Sequence, residues 1–409
     1  MIYRISKTAK EVKGVISLPA SKSISNRLLI IKELSSNPIT INNLSESDDT
    51  NTLHRLIASD DTALNTGDAG TAMRFLTAFL ATRTSEYSLM GSERMHERPI
   101  GVLVDALRQL GATIEYSGEE GYPPLKITGN TLHGGQLVLD GSVSSQFITA
   151  LLLIAPVISG PLSIEFSGKI SSRPYISMTL QLLEIFGIES SWKNNKIKIC
   201  PGSFKESSID VEPDWSAASY WYSMAALAED ADITLTGLTA RSIQGDSIVA
   251  FVFNLLGVRT EFTASGVRLT KSNEIVDEIG FDFTDCPDLA PAIIVTSAAL
   301  GIPGLFTGLE SLKIKESDRI AALTEELQKV GIELVKISEG AIRTRMIADS
   351  VSPASTFSSH NDHRIAMSLA PLGLIHESIE MENPEITSKS YPNFWDDLRS
   401  VGFEIGSVE

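Results

Sequence analysis

The segment LVDALRQLGATIEY, Leu103–Tyr116, reads as an amphipathic helix, a glycine and then a strand. Glycine ends a helix in the left-handed conformation without the penalty of a Cβ, and the alternation that follows suits a strand. The same unit returns as LQLLEIFGIESSW (Leu180–Trp192), VAFVFNLLGVRTEF (Val249–Phe262), LTEELQKVGIELV (Leu323–Val335) and FWDDLRSVGFEI (Phe394–Ile405). Its glycines, Gly111, Gly187, Gly257, Gly331 and Gly402, are separated by 76, 70, 74 and 71 residues.

A second unit is an uncharged, Ala-rich helix introduced by polar anchors. The anchors are SKSISNR (Ser21–Arg27), DAGTAMR (Asp68–Arg74), SSQF (Ser144–Phe147), PDWSAA (Pro213–Ala218), PDLA (Pro287–Ala290) and NDHR (Asn361–Arg364). Asp214, Asp288 and Asp362 are 74 residues apart, twice over. Only the first interval is short, at 47 residues from Ser23 to Gly70, which predicts a helix over Thr50–Ala58 and a trimmed set of strands. The chain therefore holds six α/β copies of a unit of about 70 residues. Solenoid repeats run to roughly 20–50 residues, so the longer period favours compact α+β subdomains. Six copies divide most simply three and three, with Val211-Glu212-Pro213 as the crossing point.

The 409 residues allow about two to four domains. With 43% hydrophobic and 21% charged residues the chain builds a large core, and wholesale disorder is excluded. A formal net charge of −17 argues against long polyanions, hence no nucleic-acid partner, but leaves room for a small anion in a locally cationic cleft. Two cysteines, Cys200 and Cys286, exclude a disulfide framework and a cysteine zinc cluster. Residues Met1–Leu18 lack an apolar core of the secretory type, so a soluble cytoplasmic protein is expected. Ser144–Ile164 and Leu289–Leu309 each run 21 residues without a charge. Both are broken by Pro and Gly, and they read as buried helix, turn and strand rather than as membrane spans.

A helix N-terminus presents free N–H groups and partial positive charge, which suits phosphate or carboxylate. Taken singly, each anchor also reads as an ordinary Ser or Asp cap. The cations Lys22, Arg27, Arg74 and Arg364 at these ends go beyond what a cap requires. More cations sit in loops: Arg94 and Arg98 in GSERMHERPIG, Arg173 in SSRPY, Lys315 and Arg319 in IKESDR, and Lys389 in TSKSYP.

Together LPASKSISNR, GDAGTAMR, MHERPIG, SSQF, SRPY, PDLA, IKESDRI, NDHR and SKSYPNF resemble, in order from Leu18 to Phe394, the 5-enolpyruvylshikimate-3-phosphate synthase family. The resemblance implies two globular domains of inside-out α/β barrel type. Each would have three βαβαββ subdomains, with helix N-termini facing an interdomain cleft. It implies domains at residues 20–213, on the shikimate-3-phosphate side, and at residues 1–19 with 214–409. The implied reaction moves the enolpyruvyl group of phosphoenolpyruvate to the 5-hydroxyl of shikimate 3-phosphate and releases phosphate. No cofactor or metal and no membrane is implied, and a monomer is expected.

Carried over residue by residue, Lys22 touches both substrates, and Ser23 and Arg27 hold the shikimate part. Ser144, Ser145 and Ser172, with Gln146 and Tyr175 beside them, match the binders of the 3-phosphate. Gly70, Arg98, Gln146, Arg319, Arg364 and Lys389 match the phosphoenolpyruvate contacts. Asp288 matches the group that takes the 5-hydroxyl proton. Glu316 matches a proton-transfer group near the enolpyruvyl carbon, and Lys315 lies at both. In this family glyphosate occupies the phosphoenolpyruvate place. His363 reads either as a neighbour of the phosphate or as a core histidine, and Cys286 reads as a packed thiol. Asp68, Phe75 and Ser311 stand where many members have Asn, Pro and Asn. The alternative is the enolpyruvyl transferase acting on UDP-N-acetylglucosamine. Most of its members carry a cysteine in the loop equivalent to Gly91–Gly101, where this chain has none.

Overall fold

The computed structural model describes residues 1–347 and 354–408. Contacts divide the chain into two units, Ala20–Val211 and Met1–Pro19 with Glu212–Glu409.

One sheet pattern recurs five times among the described residues. In the first instance Ala63–Asn65 runs parallel to Glu86–Met90. That strand is antiparallel to Leu125–Thr128, which is antiparallel to Thr113–Tyr116. A parallel pair needs a crossover, and the anchored helix supplies it, here Gly70–Ala81. The helix–glycine–strand segment then delivers the outer antiparallel strand, Thr113–Tyr116. Each of the five repeat glycines has a positive φ, between 76° and 101°, so the turn that ends each helix needs a residue without a Cβ. In the VAFVFNLLG copy the strand Leu256–Phe262 already begins one residue before the glycine.

The N-terminal residues complete two sheets of their unit. Glu11–Ile16 lies parallel to Asp230–Thr236. Ile2–Ser6 sits between Ser378–Glu382 and Glu404–Val408, in the place that the last strand of the repeat fills elsewhere. The short first copy keeps only Ile39–Asn42, paired in parallel with Ser207–Asp210. Its second helix is Asp48–Ile57, two residues earlier than Thr50 because the Ser47 hydroxyl caps it at Thr50 N, 3.4 Å away.

The anchored helices are the centre of each unit. In one, Lys22–Leu34, Gly70–Ala81 and Ser145–Ile154 pack against one another. In the other, Trp215–Leu227, Ala290–Ala299 and His363–Leu369 do the same. A helix apolar all round must be buried, and every residue of Trp215–Leu227 except Ser216 is. Fully buried aliphatics such as Leu151 and Ile294 contribute about 1.5–3 kcal/mol each. Both uncharged stretches resolve into helix, turn and strand, and no described helix is long and apolar enough to cross a membrane. Because these helices are buried along their length, only their first residues are left to meet a ligand.

Candidate active site

In the unit Ala20–Val211, hydrogen bonds tie the anchored helix ends together. Gln146 Nε2 donates to Thr71 Oγ1 at 3.3 Å, joining two of them. Arg27, buried, links its own helix to Ser145–Ile154 and to Arg173–Ile185. Its Nε donates to Thr179 Oγ1 at 2.9 Å, its Nη1 to Ser23 O at 2.7 Å, and its Nη2 to Thr149 Oγ1 at 3.3 Å and Tyr175 O at 3.1 Å. Burial pushes the Arg27 pKa down to about 10, so the group stays charged at neutral pH. Its guanidinium lies 5.8 Å from the centre of the Phe75 ring. Phe75 is thus a packing partner of Arg27 inside the unit.

Lys22 opens its helix half-buried and pairs with Asp49 Oδ2 at 3.0 Å. Ser23, Ser144, Ser145, Gln146 and Tyr175 are half-buried. Ser144 accepts from Gln146 N at 3.4 Å, a long cap bond. Ser172 precedes the helix Arg173–Ile185 with φ 54°, a left-handed conformation unusual for a residue with a Cβ.

Gly70 carries a close approach. A Cβ there would stand 2.7 and 2.8 Å from the two terminal nitrogens of Arg98. The missing side chain lets this buried guanidinium lie against the start of the helix. Arg74 holds the Arg98 loop in place, with Nη1 3.0 Å from Met95 Sδ and Nη2 donating to Pro99 O at 3.0 Å. Asp68 accepts from the Ser92 hydroxyl at the other end of that loop.

The unit that contains Glu212–Glu409 is built differently. Arg319 is buried, and its side chain reaches three carboxylates. Nε donates to Asp362 Oδ2 at 2.8 Å, Nη1 to Asp288 Oδ1 at 3.2 Å and Nη2 to Glu316 Oε2 at 3.0 Å. Arg364 Nη2 donates to Asp288 Oδ2 at 2.8 Å. Lys389 Nζ is 3.9 Å from Glu316 Oε1. Burial alone would lower the Arg319 pKa, but Asp362, Glu316 and Asp288 outweigh it and raise it. Asp288 is one-fifth exposed, whereas Asp362 is fully buried. Lys315, next to Glu316 in the chain, is half-buried.

The three aspartates at 74-residue intervals have diverged. Asp214 caps its helix at Ser216 N and Ala217 N, and Asp362 caps at Arg364 N. Asp288 precedes its helix without capping it and faces two arginines instead. His363 opens the next helix almost fully buried, its Nδ1 3.9 Å from Asp362 Oδ1. Cys286 is buried, and burial first, then Asp246, Asp285, Asp282 and Asp288, push its thiol well up.

A family model described as EPSP synthase (3-phosphoshikimate 1-carboxyvinyltransferase) matches residues 6–59 and 53–398. The chain belongs to the EPSP synthase family. It is 47% identical over 406 residues to a 3-phosphoshikimate 1-carboxyvinyltransferase of Bacteroides fragilis, covering 99% of each chain. A relative of the same name from Sulfurovum is 35% identical, with 97% of this chain and 98% of the relative covered. An EPSP synthase structure from Acinetobacter baumannii matches with a TM-score of 0.78 at 23% identity, over 99% of this chain and all of the other. The enolpyruvyl transferase NikO from Streptomyces tendae gives 0.76 at 15%, over 99% and 98% of the two chains, a likeness of fold. The relatives carry the shikimate name and not that of the UDP-N-acetylglucosamine enzyme.

Two pairings were not in the sequence reading. Asp49 holds Lys22, and Asp362 ties Arg319 to the cap of the Arg364 helix. Asp48 and Asp49 both stand in the first turn of the helix Asp48–Ile57, a common place for acids, so the run SESDD does not single out Asp49. Two expected cations, Arg27 and Arg74, direct several of their donors inward to protein groups.

Proposed function

We propose that this EPSP synthase family member catalyses 3-phosphoshikimate 1-carboxyvinyl transfer, with the unit Ala20–Val211 supplying the shikimate-3-phosphate side. Ser144, Ser145 and Ser172 hold the 3-phosphate, with Gln146 and Tyr175 against it and Lys22, Ser23 and Arg27 on the ring side. Gly70, Arg98, Gln146, Arg319, Arg364 and Lys389 serve phosphoenolpyruvate. The observation that carries the reading is Asp288, a carboxylate poised between Arg319 and Arg364 with Glu316 on the same arginine.

Between two guanidinium groups a carboxylate is a weak base. Anionic oxygens of phosphoenolpyruvate compete for those arginines and take over part of their hydrogen bonding. Asp288 accepts the 5-hydroxyl proton while that oxygen bonds to the central carbon of the enol, and Glu316, with Lys315, delivers a proton to the methylene carbon. Loss of a proton from the resulting methyl and cleavage of the carbon–phosphate-oxygen bond restore the double bond and release phosphate. Phosphate release measured with shikimate 3-phosphate and with UDP-N-acetylglucosamine tests the reading. Turnover with the second and none with the first would overturn it.

A further inference from the structure

Glu326 is a fully buried carboxylate in the helix Arg319–Gln328, and the reaction scheme above does not use it. Its Oε2 accepts from Lys329 Nζ at 2.7 Å and from Ser358 N at 3.0 Å. Its Oε1 lies 2.8 Å from His360 Nε2. Glu325, Glu326 and His360 are close enough together to suggest a metal site. The Lys329 ammonium and the Ser358 N–H already take Oε2, so a resident protein cation stands where a metal would.

The segment that Glu326 grips is strained. His360 and Asn361 have φ of 49° and 53°, two successive left-handed residues that both carry a Cβ. Such conformations cost about 1–3 kcal/mol each and persist where the surroundings over-determine them. Asn383, a third such residue, donates through Nδ2 to Asn361 Oδ1 at 3.4 Å and opens the turn Pro384–Lys389. The strained turn leads directly into Asp362, which caps the Arg364 helix and binds Arg319.

One helix therefore holds this turn at two points. Arg319 grips Asp362, and Glu326, seven residues on and about 10 Å along the axis, grips Ser358 and His360. We infer that Glu326 is a positioning residue: by clamping the Ser358–Asn361 turn it sets the aim of the Asp362–Arg319 and Arg364–Asp288 pairs. The inference rests on the proposed assignment of those arginines to phosphoenolpyruvate.

Steady-state constants for both substrates test it in Glu326→Ala, Glu326→Gln, His360→Ala and Arg364→Lys. Glu326→Ala should raise the phosphoenolpyruvate KM about tenfold, as a small misplacement of binding groups does, and leave the shikimate 3-phosphate KM near wild type. Glu326→Gln, which still accepts from Ser358 N, should recover most of the loss. His360→Ala, at a partly exposed ring, should shift the same constant less, and it decides the matter if Glu326→Ala does not fold. Folded variants that leave both KM values unchanged, or move both equally, overturn the inference. If Arg364→Lys shifts the shikimate 3-phosphate constant instead, the substrate assignment fails. The positioning role then stands only if Glu326→Ala shifts that same constant.

Discussion

The two units hold their candidate anion-binding cations by different means. In the Ala20–Val211 unit the buried arginines Arg27 and Arg74 are held by main-chain carbonyls and other neutral groups, and one cation, Lys22, is paired with a carboxylate, Asp49. The other unit uses ion pairs, in which Arg319 binds Asp288, Glu316 and Asp362 and shares Asp288 with Arg364. Donors held by neutral groups keep their charge available and need little rearrangement. Donors held by carboxylates must, on the proposed function, exchange partners with the substrate. The first arrangement suits binding and the second suits coupling of binding to proton transfer.

The largest expected effect tests that coupling. Asp288→Asn keeps the shape but removes the base, so kcat should fall roughly 10²–10⁴-fold. The shikimate 3-phosphate KM should change far less. Near-normal turnover in a steady-state assay would move the base elsewhere in the carboxylate set and dissolve the contrast between the units.

Asp362→Asn asks how much the ion-paired design matters for the fold. Asparagine caps a helix as well as aspartate does, so the substitution isolates the lost charge. Arg319 would keep Asp288 and Glu316 but lose its fully buried partner. Removing one partner of a buried pair costs about 3–5 kcal/mol, and urea unfolding should read a loss near the lower end. No loss would mean that the two remaining carboxylates suffice.

Gly70→Ala probes the hydrogen-bonded unit. The new methyl meets the Arg98 guanidinium, the movable end of a side chain, so stability should hold while the cation shifts. A phosphoenolpyruvate KM raised about tenfold is expected, since each tenfold change is 1.4 kcal/mol of binding. The glyphosate inhibition constant should rise by a larger factor, because the inhibitor is longer than the substrate. An equal rise in both constants would show that Gly70 does not discriminate between them.

The smallest effect concerns Ser144. As a cap alone it is worth about 0.5–1 kcal/mol, and the 3.4 Å bond points to the low end. Ser144→Ala should therefore barely move the urea midpoint yet raise the shikimate 3-phosphate KM several-fold. A matched loss in both would reduce Ser144 to a cap and leave this half-site to backbone N–H groups.

Much of this molecule is local and therefore legible in the chain. The five repeat glycines sit at helix ends with positive φ because no other residue takes that conformation as easily. The uncharged helices are buried because nothing on their surface tolerates water. The cationic loops lie where their motifs placed them, ahead of helices. Pairing was not legible, since it depends on residues far apart in sequence. Nothing near Asp288 announces Arg364, 76 positions on, and nothing near Lys22 singles out Asp49 from the acids around it.

Sequence by itself thus determined the repeat, the helix ends and the family, all of which follow from short-range periodicity and from motifs in order. Tertiary structure decided how each charge is used. The aspartates at 74-residue intervals began alike. Asp214 caps a helix, Asp362 caps one and also binds Arg319, and Asp288 caps none and faces two arginines. Electrostatic energy in a buried setting depends on distance and desolvation, and both are fixed only when the helices have packed.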